Sequence, residues 1–346
     1  MAEKVNMIYV QQSGVRKFFS FLIRSVFIRP LAFLNRNSIM LKTNSFQVVY
    51  FGLFAACGVM ASGSISFFYL YAKGCFSDLA PIPIALIILA ANLIGVKALY
   101  VLALGKKFLL NPKTYLNETT MYNQGGLFGI VIATAAIAFV KHINPLIMFD
   151  AMVLGGSFGL FLGRLGCYNY GCCFGIPTSS SIHVTYHPSC SKIIRTNPEL
   201  KGVPLVPTQL YSAYFDLFLF ITSIAIALIH PGNGLISLAF IFLFNTFRII
   251  IQKFRFVEKS DLAGFSKIAI LYSMSGLVVW ALLFLADGGK IVSRPFQVPF
   301  TLKSWAQFVV GTEVMLSLLI AGTISFLFYG IQGKELGTHM NLRSRL

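Results

Sequence analysis

The sequence predicts an all-α integral membrane protein, a bundle of seven or eight transmembrane helices with a small cap loop. Of its 346 residues, 56% are hydrophobic and only 11% are charged, against roughly 25% charged residues in soluble domains. Several apolar segments approach the length of about 20 residues that a spanning helix needs. The formal net charge of +17, in a chain this apolar, indicates contact with anionic lipid and excludes nucleic acid as the expected partner.

Eight apolar segments qualify, or nearly qualify, as spanning helices. The third is short, and the seventh is the least certain because it barely reaches 18 residues. In chain order the segments cover residues 46–71, 83–104, 126–140, 145–163, 210–229, 234–251, 268–285 and 306–329.

The N-terminal region differs from these spans. Residues 18–34 are apolar but contain Arg24 and Arg29, which are costly in mid-membrane, so we interpret this stretch as an amphipathic helix on the membrane surface. The chain then divides into a basic N-terminal extension, a transmembrane catalytic domain that includes a cap or active-site loop (167–208), and a polar C-terminal tail. Their respective boundaries are 1–43, 44–330 and 331–346.

Ionisable side chains within apolar spans are candidate functional residues because burying them is costly. Arg164 closes the fourth span and Arg248 lies near the end of the sixth, so alternate crossings place both on one face of the membrane. Two guanidinium groups there suit a phosphate; the alternative is that each arginine snorkels to the interface. Asp216 could pair with Arg248 or Lys97, or cap a polar cavity. The remaining candidates are Asp150 and Glu313.

The end of the fourth span is rich in glycine. Gly155, Gly159 and Gly163 are spaced four apart on one helix face, a spacing that allows close helix packing. Beyond Arg164 the run becomes glycine-rich and aromatic, and we expect irregular backbone there, lining a site.

Five motifs resemble, in order, those of the prolipoprotein diacylglyceryl transferase family. They cover residues 50–53, 124–129, 163–175, 207–211 and 247–255. Asp150 also lies where the family carries an aspartate. The Gly-Cys-Cys-Phe-Gly run at 171–175 is similar to a divergent branch of the family.

The resemblance implies a reaction in the bacterial inner (plasma) membrane, by a multi-pass protein. Phosphatidylglycerol donates its diacylglyceryl group to the lipobox cysteine of a preprolipoprotein; a thioether forms and glycerol 1-phosphate leaves. No cofactor is expected. Two alternatives stay open: a related glycerophospholipid group transferase with another acceptor, and a non-catalytic protein that binds or transports anionic lipid.

The resemblance also implies which residues form the site. Arg164 and Arg248 match the family's essential arginines, and Gln124 occupies the position of its motif histidine, a proposed general base. An amide cannot take that proton, so the role is vacant or has moved. The predicted substrate-binding residues are Phe51, Gly125, Gly126, Gly163, Gly166, Cys167, Asn169, Gly171, Cys172, Gly175, Gln209, Tyr211, Gln252 and Arg255.

Four of these residues depart from the family pattern. Phe51 replaces a tyrosine, Cys167 an asparagine, and Cys172 and Gln252 each replace a glutamate. Such changes concern the acceptor side of the reaction more than the phosphate side.

The cap loop is rich in cysteine and histidine. A zinc site needs four ligands, commonly on paired arms, and no such arms are present, so we predict no metal. A disulfide and free thiols lining an apolar site both remain open, and His183 or His187 could be the displaced base. The cysteines concerned are Cys167, Cys172, Cys173 and Cys190.

The charge distribution and the resemblance disagree about orientation. The three long loops and both chain ends lie on one side, with most of the lysines and arginines, and the positive-inside rule makes that side cytoplasmic. In the family the corresponding side faces outward. We favour the outward orientation, with the basic loops contacting anionic headgroups; the alternative is a cytoplasmic site with another acceptor.

Overall fold

The computed structural model describes residues 24–77, 79–112, 123–230, 233–256, 259–286, 288–289 and 295–333. Three short strands, β1 to β3, cover Ile39–Lys42, Phe46–Val49 and Ile331–Gly333. The helices α1 to α11 are, in order, Tyr50–Ala72, Pro81–Leu104, Lys106–Leu110, Asn123–Val140, Pro145–Tyr170, Lys192–Thr196, Thr208–Ile229, Leu235–Gln252, Lys259–Ala286, Leu302–Val309 and Thr312–Gly330.

The fold is that of an all-α membrane protein, as the composition predicts. Among the described residues, six helices are long and apolar enough to cross a bilayer: α1, α2, α5, α7, α8 and α11. Two shorter apolar helices, at 125–140 and 273–286, coincide with the short third and uncertain seventh segments. The count of seven or eight spans therefore stays a prediction.

Three boundaries differ from the sequence-based prediction. Residues 46–49 form β2 rather than the start of the first span. The eighth segment is split, because α10 ends at Val309 and α11 begins at Thr312. The run after Arg164 is helical up to Tyr170, so the expectation of irregular backbone is wrong for residues 165–170 and holds only for residues 171–175. The helix ends at Gly171, whose φ of 76° provides a left-handed cap.

Helix α5 lies at the centre and packs against α1 on one side and α7 on the other. Gly155 and Gly159 permit the close approach of α1, since a Cβ at Gly159 would lie 2.9 Å from the Gly58 carbonyl oxygen. Gly163 does not share that role: a Cβ there would meet nothing within 4 Å. The predicted glycine stripe is thus a packing surface for two of its three members, and the third faces open space.

The segments that flank α1 and α11 meet in a small antiparallel sheet of order β1-β2-β3. Phe46 pairs with Gly333 and Val48 with Ile331, so the segment before α1 is joined to the segment after α11. The residues from Arg24 to Arg36 form one π-helical and two 3-10 turns rather than a continuous α-helix; the earlier part of the predicted amphipathic helix lies outside the described residues.

Residues 171–207, which we call the cap, connect α5 to α7. The cap shares a hydrophobic core with the ends of α5 and α7, in which Tyr168 of α5 and Tyr186, Ile193 and Leu205 of the cap are almost fully buried. Because the last turn of α5, the first turn of α7 and the last turn of α8 all adjoin the cap, we call this the cap end of the bundle.

Candidate active site

Two arginines from different helices lie together at the cap end. Arg164 on α5 places its Nε 3.6 Å from Oδ2 of Asp216 on α7, and the two side chains are 16% and 2% exposed. Arg248 on α8 lies close enough for its charge to act on Asp216 and on Arg164. Among the described residues, Asp216 therefore forms its ion pair with Arg164 rather than with Arg248 or Lys97, and one carboxylate leaves the two cations incompletely neutralised.

A third cation, Arg255, lies just beyond the end of α8. Its charge acts on Arg248, and its Nη1 donates a 3.5 Å hydrogen bond to Oε1 of Gln252. The three guanidinium groups and one carboxylate leave an excess of positive charge, which an anion could offset.

Asp150 sets the relative height of α5 and α8. Its carboxylate accepts hydrogen bonds from the Gly234 amide at 2.7 Å and from the amide and hydroxyl of Ser237, both at 2.8 Å, which caps the first turn of α8. Arg164 lies about 21 Å along α5 from Asp150, and Arg248 lies about 21 Å along α8 from Gly234, at a rise of about 1.5 Å per residue. The hydrogen bonds of Asp150 to the start of α8 thus bring Arg164 and Arg248 to the same level at the cap end of the bundle.

The length of α5 predicts that the arginines lie near the membrane boundary. Helix α5 has 26 residues, which corresponds to about 39 Å of helix against about 30 Å of hydrocarbon. Arg164 lies about 9 Å before its end, near the depth of lipid headgroups.

Three cysteines form a cluster in the same region. The sulfur atoms of Cys167, Cys172 and Cys173 all lie within 4.8 Å of one another, and all three side chains are partly exposed. The left-handed turn at Gly171 and a positive φ of 56° at Cys173 fold the chain back onto the end of α5. Thr208 Oγ1 donates to the Cys173 carbonyl and Gln209 Nε2 to the Cys172 carbonyl, each at 2.9 Å, which holds the turn in place.

The surroundings of Cys173 favour a thiolate. Contacts with the sulfur atoms of Cys167 and Cys172 and the charges of Arg255 and Arg164 hold the pKa of Cys173 well below its ordinary value, although burial acts in the opposite direction. Sulfur contacts and burial raise the pKa of Cys172. The arginines and the cysteines are therefore electrostatically one site.

Gly175 permits the cap to lie against the end of α8. The Ile176 amide donates to the Phe254 carbonyl and the Phe256 amide to the Phe174 carbonyl, both at 3.0 Å. A Cβ on Gly175 would lie 2.8 Å from the Cβ of Val206 and 2.9 Å from the Phe254 oxygen. This contact positions Arg255, which forms a β-bridge with Gly175.

Several predicted substrate-binding residues are buried and form hydrogen bonds within the protein instead of lining open space. Asn169, 3% exposed, donates to the Leu34 and Asn37 carbonyls at 2.6 and 2.9 Å. Gln209, 1% exposed, also donates to the Tyr186 hydroxyl at 3.2 Å. Gln252 is 2% exposed.

The other predicted residues lie in different surroundings. Phe51 stacks near Tyr170 and Tyr329, with ring centroids 5.7 and 5.9 Å away, and Gly166 packs against Phe54. Tyr211 is partly exposed in the first turn of α7. Gly125 and Gly126 pack against α2, and the side chain of Gln124 lies outside the described part of the chain.

The cap histidines contact only the cap in the bonds described. The ring of His183 lies 2.8 Å from the Ser180 carbonyl oxygen, and a Cβ at Gly202 would lie 3.5 Å from the ring of His187. The structure thus gives no contact that supports either as the displaced base.

Three residues with clear positions here were not among the site residues that the resemblance implies, although Asp216 and Asp150 were candidate functional residues. Asp216 and Asp150 were visible as acids in apolar spans, which is a usable signal. Tyr186, which donates to the Tyr168 carbonyl at 3.0 Å, carries no distinguishing sequence pattern because its partners come from distant parts of the chain.

The sequence of this chain also matches known proteins. The family model described as prolipoprotein diacylglyceryl transferase matches residues 38–286. A phosphatidylglycerol–prolipoprotein diacylglyceryl transferase of Dehalococcoides mccartyi is 29% identical over 231 residues, 66% of this chain and 84% of the relative. Enzymes with that name from Rickettsia bellii and Clostridium perfringens (there numbered 2) are each 31% identical, over 43% and 37% of this chain and 55% and 48% of their own lengths.

Proposed function

This chain belongs to the prolipoprotein diacylglyceryl transferase family, and we propose that it moves the diacylglyceryl group of phosphatidylglycerol to the lipobox cysteine of a prolipoprotein. The observation that carries the proposal is the convergence of Arg164 and Arg248 on the Asp216 carboxylate, with Arg255 close enough for its charge to act on Arg248. The protein is a transferase embedded in the membrane by several helices, and we propose the bacterial inner membrane as its location.

The phosphate of the donor lipid binds between the arginines. Arg164 and Arg248 project from separate helices, so each can approach a different oxygen, and a guanidinium group offers several donors in one plane. Asp216 holds Arg164 without neutralising all three cations, so the site retains positive charge for a phosphodiester. As the glyceryl C–O bond breaks, the leaving glycerol 1-phosphate gains charge, which the preorganised arginines stabilise.

The acyl chains of the lipid lie along an open face of α5. Gly156 and Gly163 are two turns apart on this face, and a Cβ at either position would meet nothing within 4 Å. A lipid whose phosphate is held by Arg164 can therefore extend along the helix from Gly163 toward Gly156.

The test is an assay of the purified full-length protein with labelled phosphatidylglycerol and a lipobox peptide. We expect a thioether-linked product and equimolar glycerol 1-phosphate. Arg164→Ala and Arg248→Ala should each lower transfer by roughly 100-fold or more, because an oxyanion loses a fixed donor, whereas Arg164→Lys should retain part of the activity. The exposed Arg36 offers a matched control, and Arg36→Ala should transfer normally.

Two results would contradict the proposal. Full activity in both Arg164→Ala and Arg248→Ala would show that neither arginine is needed to hold the phosphate. Saturable lipid binding with no product, with this or any other thiol acceptor, would make the protein a lipid-binding protein instead.

A further inference from the structure

The three-cysteine cluster has the composition of a zinc site with one position left open. Cys167, Cys172 and Cys173 come from one helix end and the turn that follows it, and their sulfur atoms lie within 4.8 Å of one another. Zn–S bonds of about 2.3 Å place the sulfurs of a tetrahedral site about 3.8 Å apart. An approach of at most about 1 Å, achieved by side-chain rotation, is therefore enough to close the site around an ion.

We propose that Cys167, Cys172 and Cys173 bind one zinc ion and that the acceptor thiol enters as its fourth ligand, an inference that rests on the proposed function. Soft thiolate ligands select zinc over harder cations such as magnesium or calcium. Three protein ligands with a vacant fourth position characterise catalytic rather than structural zinc sites. The partial exposure of all three cysteines leaves a route for that ligand.

The charges of the site agree with this composition. Arg164, Arg248 and Arg255 with Asp216 leave an excess of two positive charges. A zinc ion with three thiolates carries one negative charge and a phosphodiester carries another, so ion and lipid together bring the site to neutrality.

The surroundings also hold the ligands in position. Thr208 and Gln209, both at most 2% exposed, bind the carbonyl groups of Cys173 and Cys172. Such contacts around a metal site orient its ligands. They come from α7, the helix that also carries Asp216, so the cysteine cluster and the phosphate site share one rigid support.

A zinc ion there would promote deprotonation of the acceptor thiol, a role for which Gln124 is unsuitable. Gln124 cannot accept a proton near neutral pH, and a free cysteine thiol has a pKa of about 8.5, but a thiol that binds zinc loses its proton. The proton passes to water, and the thiolate sulfur forms a C–S bond to the terminal glyceryl carbon of the lipid. The C–O bond to the phosphate breaks, its electron pair leaves with glycerol 1-phosphate, and the neutral thioether leaves the metal.

The first test is metal analysis of the full-length protein purified without chelators and supplied with zinc. We expect about one zinc per chain, lost in Cys167→Ser, Cys172→Ser and Cys173→Ser. Cys190 lies in the cap outside the cluster, so Cys190→Ser is the matched control and should retain the ion. Failure to retain zinc in the unaltered protein, or a disulfide between two of the three cysteines by mass spectrometry, would overturn the proposal.

A second test needs no variant of the protein and therefore does not depend on whether the serine variants fold. The unaltered protein is loaded with Co²⁺, whose visible spectrum reports tetrahedral thiolate ligands. A lipobox peptide should shift that spectrum as a fourth sulfur binds, and the same peptide with serine in place of cysteine should not. An unchanged spectrum with the cysteine peptide would contradict the role of the acceptor thiol.

The two proposals fail in different ways. Thioether formation by protein free of metal would leave the transferase function intact and remove the zinc site. Zinc binding with the expected spectral shift, but no transfer from any phosphatidylglycerol, would support the metal site and contradict the proposed function.

Discussion

Asp216 allows an arginine to remain inside an apolar bundle. Its carboxylate is 2% exposed and lies 3.6 Å from Arg164 Nε, while the charge of Arg248 also acts on it. One buried anion between two cations stabilises both but satisfies neither completely. The residual positive charge supports the proposed phosphate site over the alternative that each arginine merely snorkels to the interface.

Gly163 provides the residue-scale test of the lipid path. Its Cβ position is open, so Gly163→Leu should fold normally but obstruct the acyl chains beside Arg164. We expect the KM for phosphatidylglycerol to rise by roughly tenfold, measured from transfer rates at varied lipid concentration. Gly163→Ala adds only one methyl group and is the control; an unchanged KM in the leucine variant would place the lipid elsewhere.

Helix α8 is positioned from its far end. Asp150 on α5 is fully buried and accepts three hydrogen bonds from the first turn of α8. A carboxylate at a helix N-terminus binds its free amides and opposes the positive end of the helix dipole. The arginine level at the cap end therefore depends on a contact about 21 Å away.

Asp150→Asn should reveal that dependence. The amide retains one acceptor oxygen, so some of the hydrogen bonds to the start of α8 are lost. The free energy of unfolding should fall by about 2 kcal/mol, and Arg248 should no longer be held at the level of Arg164. We expect a lower unfolding temperature in detergent and slower transfer. Ser237→Ala removes one of the three hydrogen bonds and should have a smaller effect on both; normal stability and transfer in Asp150→Asn would show that the contact does not set the height of α8.

At the scale of the whole molecule, the proposed reaction and the distribution of basic residues indicate opposite orientations of the cap end in the membrane. The cap carries Lys192, Arg195 and Lys201, and such residues usually remain in the cytoplasm. The proposed acceptor, however, is presented after export. We propose that the cap end faces outward and that its basic residues contact anionic headgroups.

Two exposed lysines at opposite ends of the bundle test the orientation. Lys201 lies in the cap and Lys141 follows α4. In intact cells, a membrane-impermeant maleimide should label Lys201→Cys above the background of the unaltered chain, whereas Lys141→Cys should be labelled only after permeabilisation. The reverse pattern would place the site in the cytoplasm and exclude an exported acceptor.

The sequence by itself determined the membrane class and the family, because bilayer thickness dictates apolar length and the motifs are local. It predicted eight apolar segments, and six of them correspond to helices long enough to cross a bilayer among the described residues. It also identified Arg164 and Arg248 as side chains that are costly to bury, and therefore as candidate functional residues. Only the tertiary structure decided that Asp216 pairs with Arg164, that Gly163 faces open space while Gly159 packs, and that three cysteines converge. Those outcomes depend on how helices are rotated against one another and on the left-handed turn after α5, and neither is encoded in spacing along a single helix.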